Sequence, residues 1–307
     1  MTPSDDARIA KGRTIAVFTK NTTNPAYEAF RIAADQVARA SGVRTVHFVP
    51  TKPDDVDEQT EFVEQVLADK PDVIIFIPVD DVAMVDPVKK LNAAKIPIVL
   101  VSNSLPGQFV TFVGADDVAI GYREASYLFE HMGRQGKIVV LEGTPAAPTG
   151  RARLRGYARA FAETPGIQVL ASAAGNFQQA DGKRVMAKFL QDHPQIDAVL
   201  SANDSMALGA LEALDAANRT AIVMGINGIL PAIKQIEAGR MLATVDFNMF
   251  KIGCTAARAA IRHLRGEPLP GKIMLPAEVI DRSNYKAWLV PVEQRTCPEW
   301  ADVVKER

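Results

Sequence analysis

Short apolar runs alternate with amphipathic stretches along almost the whole chain, and this alternation limits the fold more than any single motif does. Residues 14–19 (TIAVFT) read as a buried strand. Residues 25–40 read as a helix, with Tyr27, Phe30, Ala34, Val37 and Ala38 at helical spacing and Gly42 as its stop. The pattern continues with strands at 43–49, 73–77, 98–101 and 110–113 and helices near 58–68 and 82–94. It then begins again: strands at 137–141, 169–173, 198–201 and 221–226 each precede a helix, near 151–162, 180–191, 205–217 and 230–238. Strands that are apolar along their whole length need cover on both faces, and a helix after each strand supplies it. The expected fold class is therefore α/β, with two doubly wound parallel-sheet lobes.

The chain has 307 residues, room for two domains. No glycine- or proline-rich linker divides the halves, so several short crossing segments fit better than beads on a string. Strand-like pieces at 243–246 and 273–275 follow a second lobe that is already complete, which predicts a return to the first. The expected division is 13–116 plus 248–279 for the N-terminal lobe, 117–247 plus 280–296 for the C-terminal lobe, and 297–307 as a tail.

Charge narrows the partners. Lys and Arg total 35 against 36 Asp and Glu, so there is no basic footprint for nucleic acid or an anionic membrane. Nothing approaches a run of about 18 apolar residues, the minimum for a bilayer span. Residues 1–13 are polar and lack the apolar core of a signal peptide, which fits either a cytoplasmic protein or a mature form without its leader. Two cysteines are too few for a disulfide scaffold. Cys254 reads as a small core residue in an apolar helix and Cys297 as loosely held before a proline, and whether they bond is open. The four histidines, at 47, 131, 193 and 263, stand apart from any strand-end cluster. No G-x-S-x-G, phosphate-binding loop or G-x-G-x-x-G is present. No residue reads as catalytic or as a metal or cofactor ligand; clustered acids at 54–58 and 80–81 read as helix starts.

In open parallel sheets ligands bind beyond the carboxyl ends of the strands. Asn24 follows the first strand, Ser102 and Asn103 the fourth, Phe177 the strand at 169–173, Asn203 that at 198–201 and Asn227 that at 221–226. Asn, Asp and Ser there also cap helices, and Asp204 and Ser205 read as caps. Four asparagines at equivalent positions suit a neutral polyhydroxylated ligand, because an amide both donates and accepts, as a hydroxyl does. Tyr27, Phe177 and Phe247 could pack on the face of a sugar ring, and Arg153 has five donors for hydroxyls.

These residues resemble a known family. Asn24-Pro25 is similar to its "NNPFF" opening, residues 96–99 (IPIV) to its "IPV" strand, and Arg153 to Tyr157 (RLRGY) to its "RxxGF" helix. Residues 202–211 (ANDSMALGAL) resemble "NDxMALGAL", and residues 225–228 (GING) stand where "GfDG" is usual. The chain is thus similar to the ribose-type periplasmic sugar-binding proteins, type 1 solute-binding proteins of ABC transporters, over roughly residues 13 to 280. That resemblance implies two lobes joined by three crossover segments, near 115–117, 246–249 and 278–281, closing on a sugar without catalysis. It implies hydroxyl contacts from Asn24, Arg153 and Asn203, and ring packing by Phe177. It further implies a monomer that works in the periplasm with a membrane permease. Three departures argue against ribose itself: Ser102-Asn103 replaces an Asp-Arg pair, Asn227 replaces an acid, and Phe247 replaces a polar hinge residue. A polyol, a deoxy sugar or a partly apolar furanose is expected instead. Two alternatives stay open: the effector-binding part of a sugar-responsive transcription regulator, and an α/β enzyme with an unrecognised site. The thirteen residues ahead of Thr14 hold no helix-turn-helix for the former.

Overall fold

The computed structural model describes residues 12–304. The N-terminal reading above falls mostly on residues 1–11, and the end of the expected tail on 305–307; both lie outside the described residues. Two compact units emerge. The first begins with β1 (Thr14–Phe18), α1 (Pro25–Ala40), β2 (Arg44–Phe48), α2 (Val56–Asp69), β3 (Val73–Phe76), α3 (Val85–Ala93), β4 (Ile98–Val101) and β5 (Thr111–Gly114). The second holds α4 (Asp117–His131), β6 (Gly136–Glu142), α5 (Pro148–Glu163), β7 (Ile167–Ala174), α6 (Gln179–Asp192), β8 (Ala198–Ser201), α7 (Asp204–Ala216), β9 (Ile222–Ile226), α8 (Leu230–Glu237) and β10 (Ala243–Asp246). The chain re-enters the first unit as α9 (Met249–Leu264) and β11 (Lys272–Met274). It then gives β12 (Glu278–Ile280) to the second, and ends in the first with the short α10 (Trp300–Val303).

Strand order is β11-β5-β4-β3-β1-β2 in one sheet and β12-β10-β9-β8-β6-β7 in the other. Both sheets reverse direction of growth beside their first strand, between β1 and β3 and between β6 and β8, the place where doubly wound sheets open a crevice. The alternation of strand side chains explains the two-faced cover. Ala16, Phe18, Ile74, Phe76, Ile98 and Leu100 share one core with Val63, Val66, Val88 and Leu91 of α2 and α3. Their neighbours Ile15, Val17, Ile75 and Val99 are equally buried and face the other side, where α9 lies against β3, β4 and β5.

In the second unit α4 and α5 pack with their backbones in close approach. A side chain on Gly121 would collide with the Arg153 carbonyl, and one on Gly156 with the Val118 carbonyl. Only glycine permits that approach, and it holds the start of α4 beside the middle of α5.

The structure departs from the sequence reading at four places. First, α4 was not foreseen: its buried face mixes Gly121 and Glu124 with Ile120 and Leu128, so the apolar stripe is broken. Second, β12 pairs antiparallel with β10, so the second sheet is not wholly parallel. Third, α5 starts at Pro148, because proline is tolerated in a first turn; Arg153 lies within the helix and does not open it. Fourth, the chain changes unit not three times but four, after Gly114, Asn248, Leu275 and Pro291. The segment from Val292 therefore belongs with the first unit, where the sequence reading put 280–296 in the second lobe and 297–307 in a tail.

That last segment is tied down covalently. Cys297 is bonded to Cys254 of α9 across 43 residues of sequence, so it is not loosely held. Arg258 pairs with Glu299 at 3.2 Å, and Arg262 stacks over the buried Trp300 ring at 4.7 Å. Replacing Cys297 with Ala, or reducing the bond, is expected to lower the stability of the first unit by about 2–4 kcal/mol, the usual range for a loop of this length. Urea denaturation with and without dithiothreitol checks this; coincident curves would mean that the bond restrains nothing in the unfolded chain.

Candidate functional site

Arg153 of α5 meets the carboxyl ends of β8 and β10. Its side chain is only 3% exposed. Nε and Nη2 both reach Asp117 Oδ1 at 3.0 Å, and Nη1 donates to the Ala202 carbonyl at 2.6 Å. Phe247 closes one face, with the guanidinium carbon 5.3 Å from its ring centroid. Three of the five N–H groups are thus used. One on Nη1 and one on Nη2 remain. Asp117 itself is held by its place at the start of α4, immediately after Asp116, which caps that helix by accepting from Val118 N and Ala119 N at 3.0 Å.

Asn203 has two structural duties. Its Oδ1 caps α7 by accepting from Met206 N at 2.9 Å, and its Nδ2 donates to the Phe177 carbonyl at 3.0 Å. One Nδ2 hydrogen is left. Asn203, and not Asp204, is the cap. Phe177 has φ +59°, a conformation costly for an aromatic residue. The bond from Asn203 and the seat of its ring over Gly143, where any side chain would collide with it, hold it there.

Asn227 (φ +133°) is buried, and its Oδ1 has no partner among the described residues. An unpaired buried acceptor costs about 1–3 kcal/mol, so this atom favours a ligand that brings a donor. Beneath it, Asp204 accepts from Ile229 N at 3.0 Å and Thr244 Oγ1 at 2.7 Å. Asp246 accepts from Asn248 N at 2.6 Å and Trp288 Nε1 at 2.7 Å.

In the first unit, Asn24 caps α1 by accepting from Ala26 N at 3.0 Å. Tyr27 lies half-buried on the first turn of the same helix. Asn103 is buried at the end of β4 and donates to the Pro78 carbonyl at 2.8 Å, tying that loop to the one after β3. Ser102 (φ +61°) is half-buried beside it, near Met249 Sδ at 3.9 Å. So Asn24, Tyr27, Ser102 and Asn103 stand at strand ends of the first unit, and Arg153, Phe177, Asn203, Asn227 and Phe247 at those of the second. Of the latter, Arg153 touches Phe247, and Asn203 touches Phe177.

Sequence reasoning missed several residues. Asp117 begins a helix that the sequence did not reveal, and only the packing of α4 on α5 brings it to its partner. Lys20, just past β1, is buried although lysine rarely is; burial raises the Asp54 carboxyl, and the charge of Lys20 opposes that shift only in part. Glu124, fully buried behind Arg153, is pushed well above the usual carboxylate range by burial, and Tyr157 donates to it.

A separate groove of about 810 Å³ lies at the opposite edge of the second sheet, lined by Tyr127, His131, Asp197, Arg240 and Arg282 among others. None of the strand-end residues borders it. Its acids are already engaged: Asp281 by the Tyr127 hydroxyl at 2.6 Å and Asp197 by Lys137 N at 2.7 Å. The site is therefore sought at the carboxyl ends, where buried donors and acceptors are unspent. Among the described residues no group of three His, Cys, Asp or Glu side chains comes together as a metal site, and no helix is long and apolar enough to cross a membrane.

Residues 15–268 match the family described as periplasmic binding protein domain. The ribose import binding protein RbsB of Bacillus subtilis is 29% identical over 267 residues, 87% of this chain and 86% of that protein. A periplasmic solute-binding protein from Actinobacillus succinogenes, solved with bound D-allose, is 29% identical with a TM-score of 0.85 over 90% of this chain and 99% of that one. A solute-binding protein from Bacillus halodurans with bound myo-inositol is 26% identical, with a TM-score of 0.85 over 91% and 98%.

Burial lifts the Asp204 carboxyl to about 7 against hydrogen bonds that oppose the shift. A carboxyl raised on folding binds its proton more tightly in the folded chain. Its stabilising contribution is whole below its unfolded value of 3.8 and is lost as pH climbs through about 7. Glu124 acts in the same direction. The second unit should therefore become less stable from about pH 5 to pH 8, and Asp204→Asn should reduce that fall. Urea denaturation at both pH values is the measurement; an unchanged pH slope in the variant would show that Asp204 does not carry it.

Proposed function

The chain belongs to the ribose-type periplasmic sugar-binding family, and from that premise we propose that it captures a small neutral sugar or polyol for an ABC transporter. The observation that carries the reading is the buried Arg153 fork, fixed on three sides with two N–H groups unspent. A pair of donors on a rigid fork matches hydroxyl oxygens. Asn227 Oδ1 adds an acceptor in want of a donor. The caps of Asn203 and Asn24 use the side-chain oxygen, so Asn203 keeps one amide hydrogen beyond its bond to the Phe177 carbonyl and Asn24 keeps its own.

The proposed ligand contacts are Arg153, Phe177, Asn203, Asn227 and Phe247 at strand ends of one unit and Asn24, Tyr27, Ser102 and Asn103 at strand ends of the other. The ligand-bound protein, a monomer, is what a membrane permease recognises in the periplasm. The protein releases its ligand unchanged and binds no nucleic acid. Relatives with bound D-allose and myo-inositol support a polyhydroxylated ligand. Ser102, Asn103 and Asn227 offer neutral groups where carboxylates would make stronger, charge-assisted bonds, which argues for a ligand other than ribose.

Isothermal titration calorimetry against ribose, allose, myo-inositol, xylitol and arabinose tests this directly. At least one neutral compound other than ribose should bind saturably and be recovered unaltered. Arg153→Ala should weaken it at least tenfold, about 1.4 kcal/mol. Binding of ribose alone, chemical turnover, or full affinity in the variant would each count against the reading.

A further inference from the structure

A buried arginine in a binding site ordinarily invites an anion. Here its charge is already answered. Asp117 Oδ1 takes two of the guanidinium N–H groups at 3.0 Å, and the π face of Phe247 covers one side of the cation. We infer that Asp117 is a specificity-determining residue: by compensating Arg153 it leaves an electrically neutral fork, which accepts hydroxyl oxygens and rejects the carboxylate of a sugar acid. This rests on the sugar-binding reading above and extends it to the charge class of the ligand.

The energetics favour that sign. A carboxylate brought to the free N–H groups of the fork must shed its water, and recovers little Coulomb energy from a cation that already shares its field with Asp117. The other acids of the second unit work the same way. Asp246, which accepts from Trp288 Nε1 and Asn248 N, sits directly after Val245, whose carbonyl receives Asn227 N, so a further anion near Asn227 meets repulsion. Asp204 lies under the same turn through Ile229 N. Glu124, behind Arg153, is pushed well above the usual carboxylate range by burial and is already engaged by the Tyr157 hydroxyl. In the first unit the positive charge of Lys20 has the Asp54 carboxyl as neighbour. A neutral hydroxyl loses less on leaving water and needs only the two spare N–H groups.

Asp117→Asn separates charge from shape, since the amide oxygen can still accept from Nε and Nη2. Calorimetry with three matched pairs provides the readout: ribitol and D-ribonate, D-glucose and D-glucuronate, D-galactose and D-galacturonate. The wild-type protein should prefer the neutral member of any pair it binds. In Asp117→Asn the acid-to-neutral affinity ratio should rise at least tenfold, whereas Asp117→Glu, which keeps the charge, should retain the wild-type order. Arg153→Gln gives the reverse case and does not depend on the folding of the Asp117 variants: with Asp117 uncompensated, the ratio should fall about tenfold. An unchanged ratio in both Asp117→Asn and Arg153→Gln, or equal loss for both members of a pair, overturns the inference while leaving sugar binding intact. Failure of the wild-type protein to bind any neutral compound, here or in the wider set, instead removes the sugar-binding reading itself.

Discussion

A guanidinium cannot be taken out of water alone. Its desolvation is so costly that a folded chain must supply a partner charge and satisfy its donors, or leave the group at the surface. The second unit meets that demand for Arg153 with one carboxylate, one carbonyl and one aromatic face, each from a different element: Asp117 from α4, Ala202 after β8, and Phe247 after β10. Neighbouring arginines show the contrast. Arg155 on the same helix is exposed, and Arg159 is exposed too although it pairs with Glu163 at 3.0 Å and lies over the Tyr122 ring at 4.1 Å. What distinguishes the three is the face of α5 on which they fall, and that face is decided by packing.

The packing in turn depends on small residues. Gly121 and Gly156 let α4 and α5 meet backbone to backbone, which brings the first residue of α4 within reach of the sixth of α5. A bulkier residue at either position would separate the helices and draw Asp117 away from Arg153. The link from sequence to chemistry therefore runs through two glycines that carry no chemistry themselves. Asn203 makes a comparable link on the other side: in capping α7 and holding the Phe177 carbonyl, it fixes a strained residue whose ring then covers Gly143.

Much of the architecture was legible because period-two and period-3.6 patterns are local. The two α/β lobes and the identity of the strand-end residues could be read from short windows of sequence, whereas the strand orders and their switch points came from the pairing of the strands. What escaped depends on contacts distant in sequence. The helix α4 was hidden because its buried face includes a carboxylate, Glu124, that makes sense only beside Tyr157. The bond between Cys254 and Cys297 and the fourth change of unit could not be read because the intervening chain passes through the second unit. Asp117 was concealed because the helix that it begins was itself not foreseen, and its partner lies 36 residues further along the chain. The polar strand-end residues were visible, but their division of labour was not. Asn24 and Asn203 are caps and still retain amide hydrogens, so capping and ligand contact were never exclusive readings.

That double use has an energetic consequence. An asparagine whose oxygen caps a helix is already oriented before any ligand arrives, so little side-chain entropy remains to be lost on binding. The same holds for Arg153, pinned by three contacts, and for Phe177, pinned by its backbone and its ring seat. Asn227 differs, because its oxygen is buried without a partner among the described residues. A site made of pre-set donors and one unsatisfied acceptor discriminates by hydroxyl pattern, since a mismatched ligand leaves a buried group unpaired at about 1–3 kcal/mol. Selectivity of this kind comes from the rigidity of the groups and the neutrality of their sum, so a residue such as Asp117 can govern which ligand is accepted without providing a donor itself.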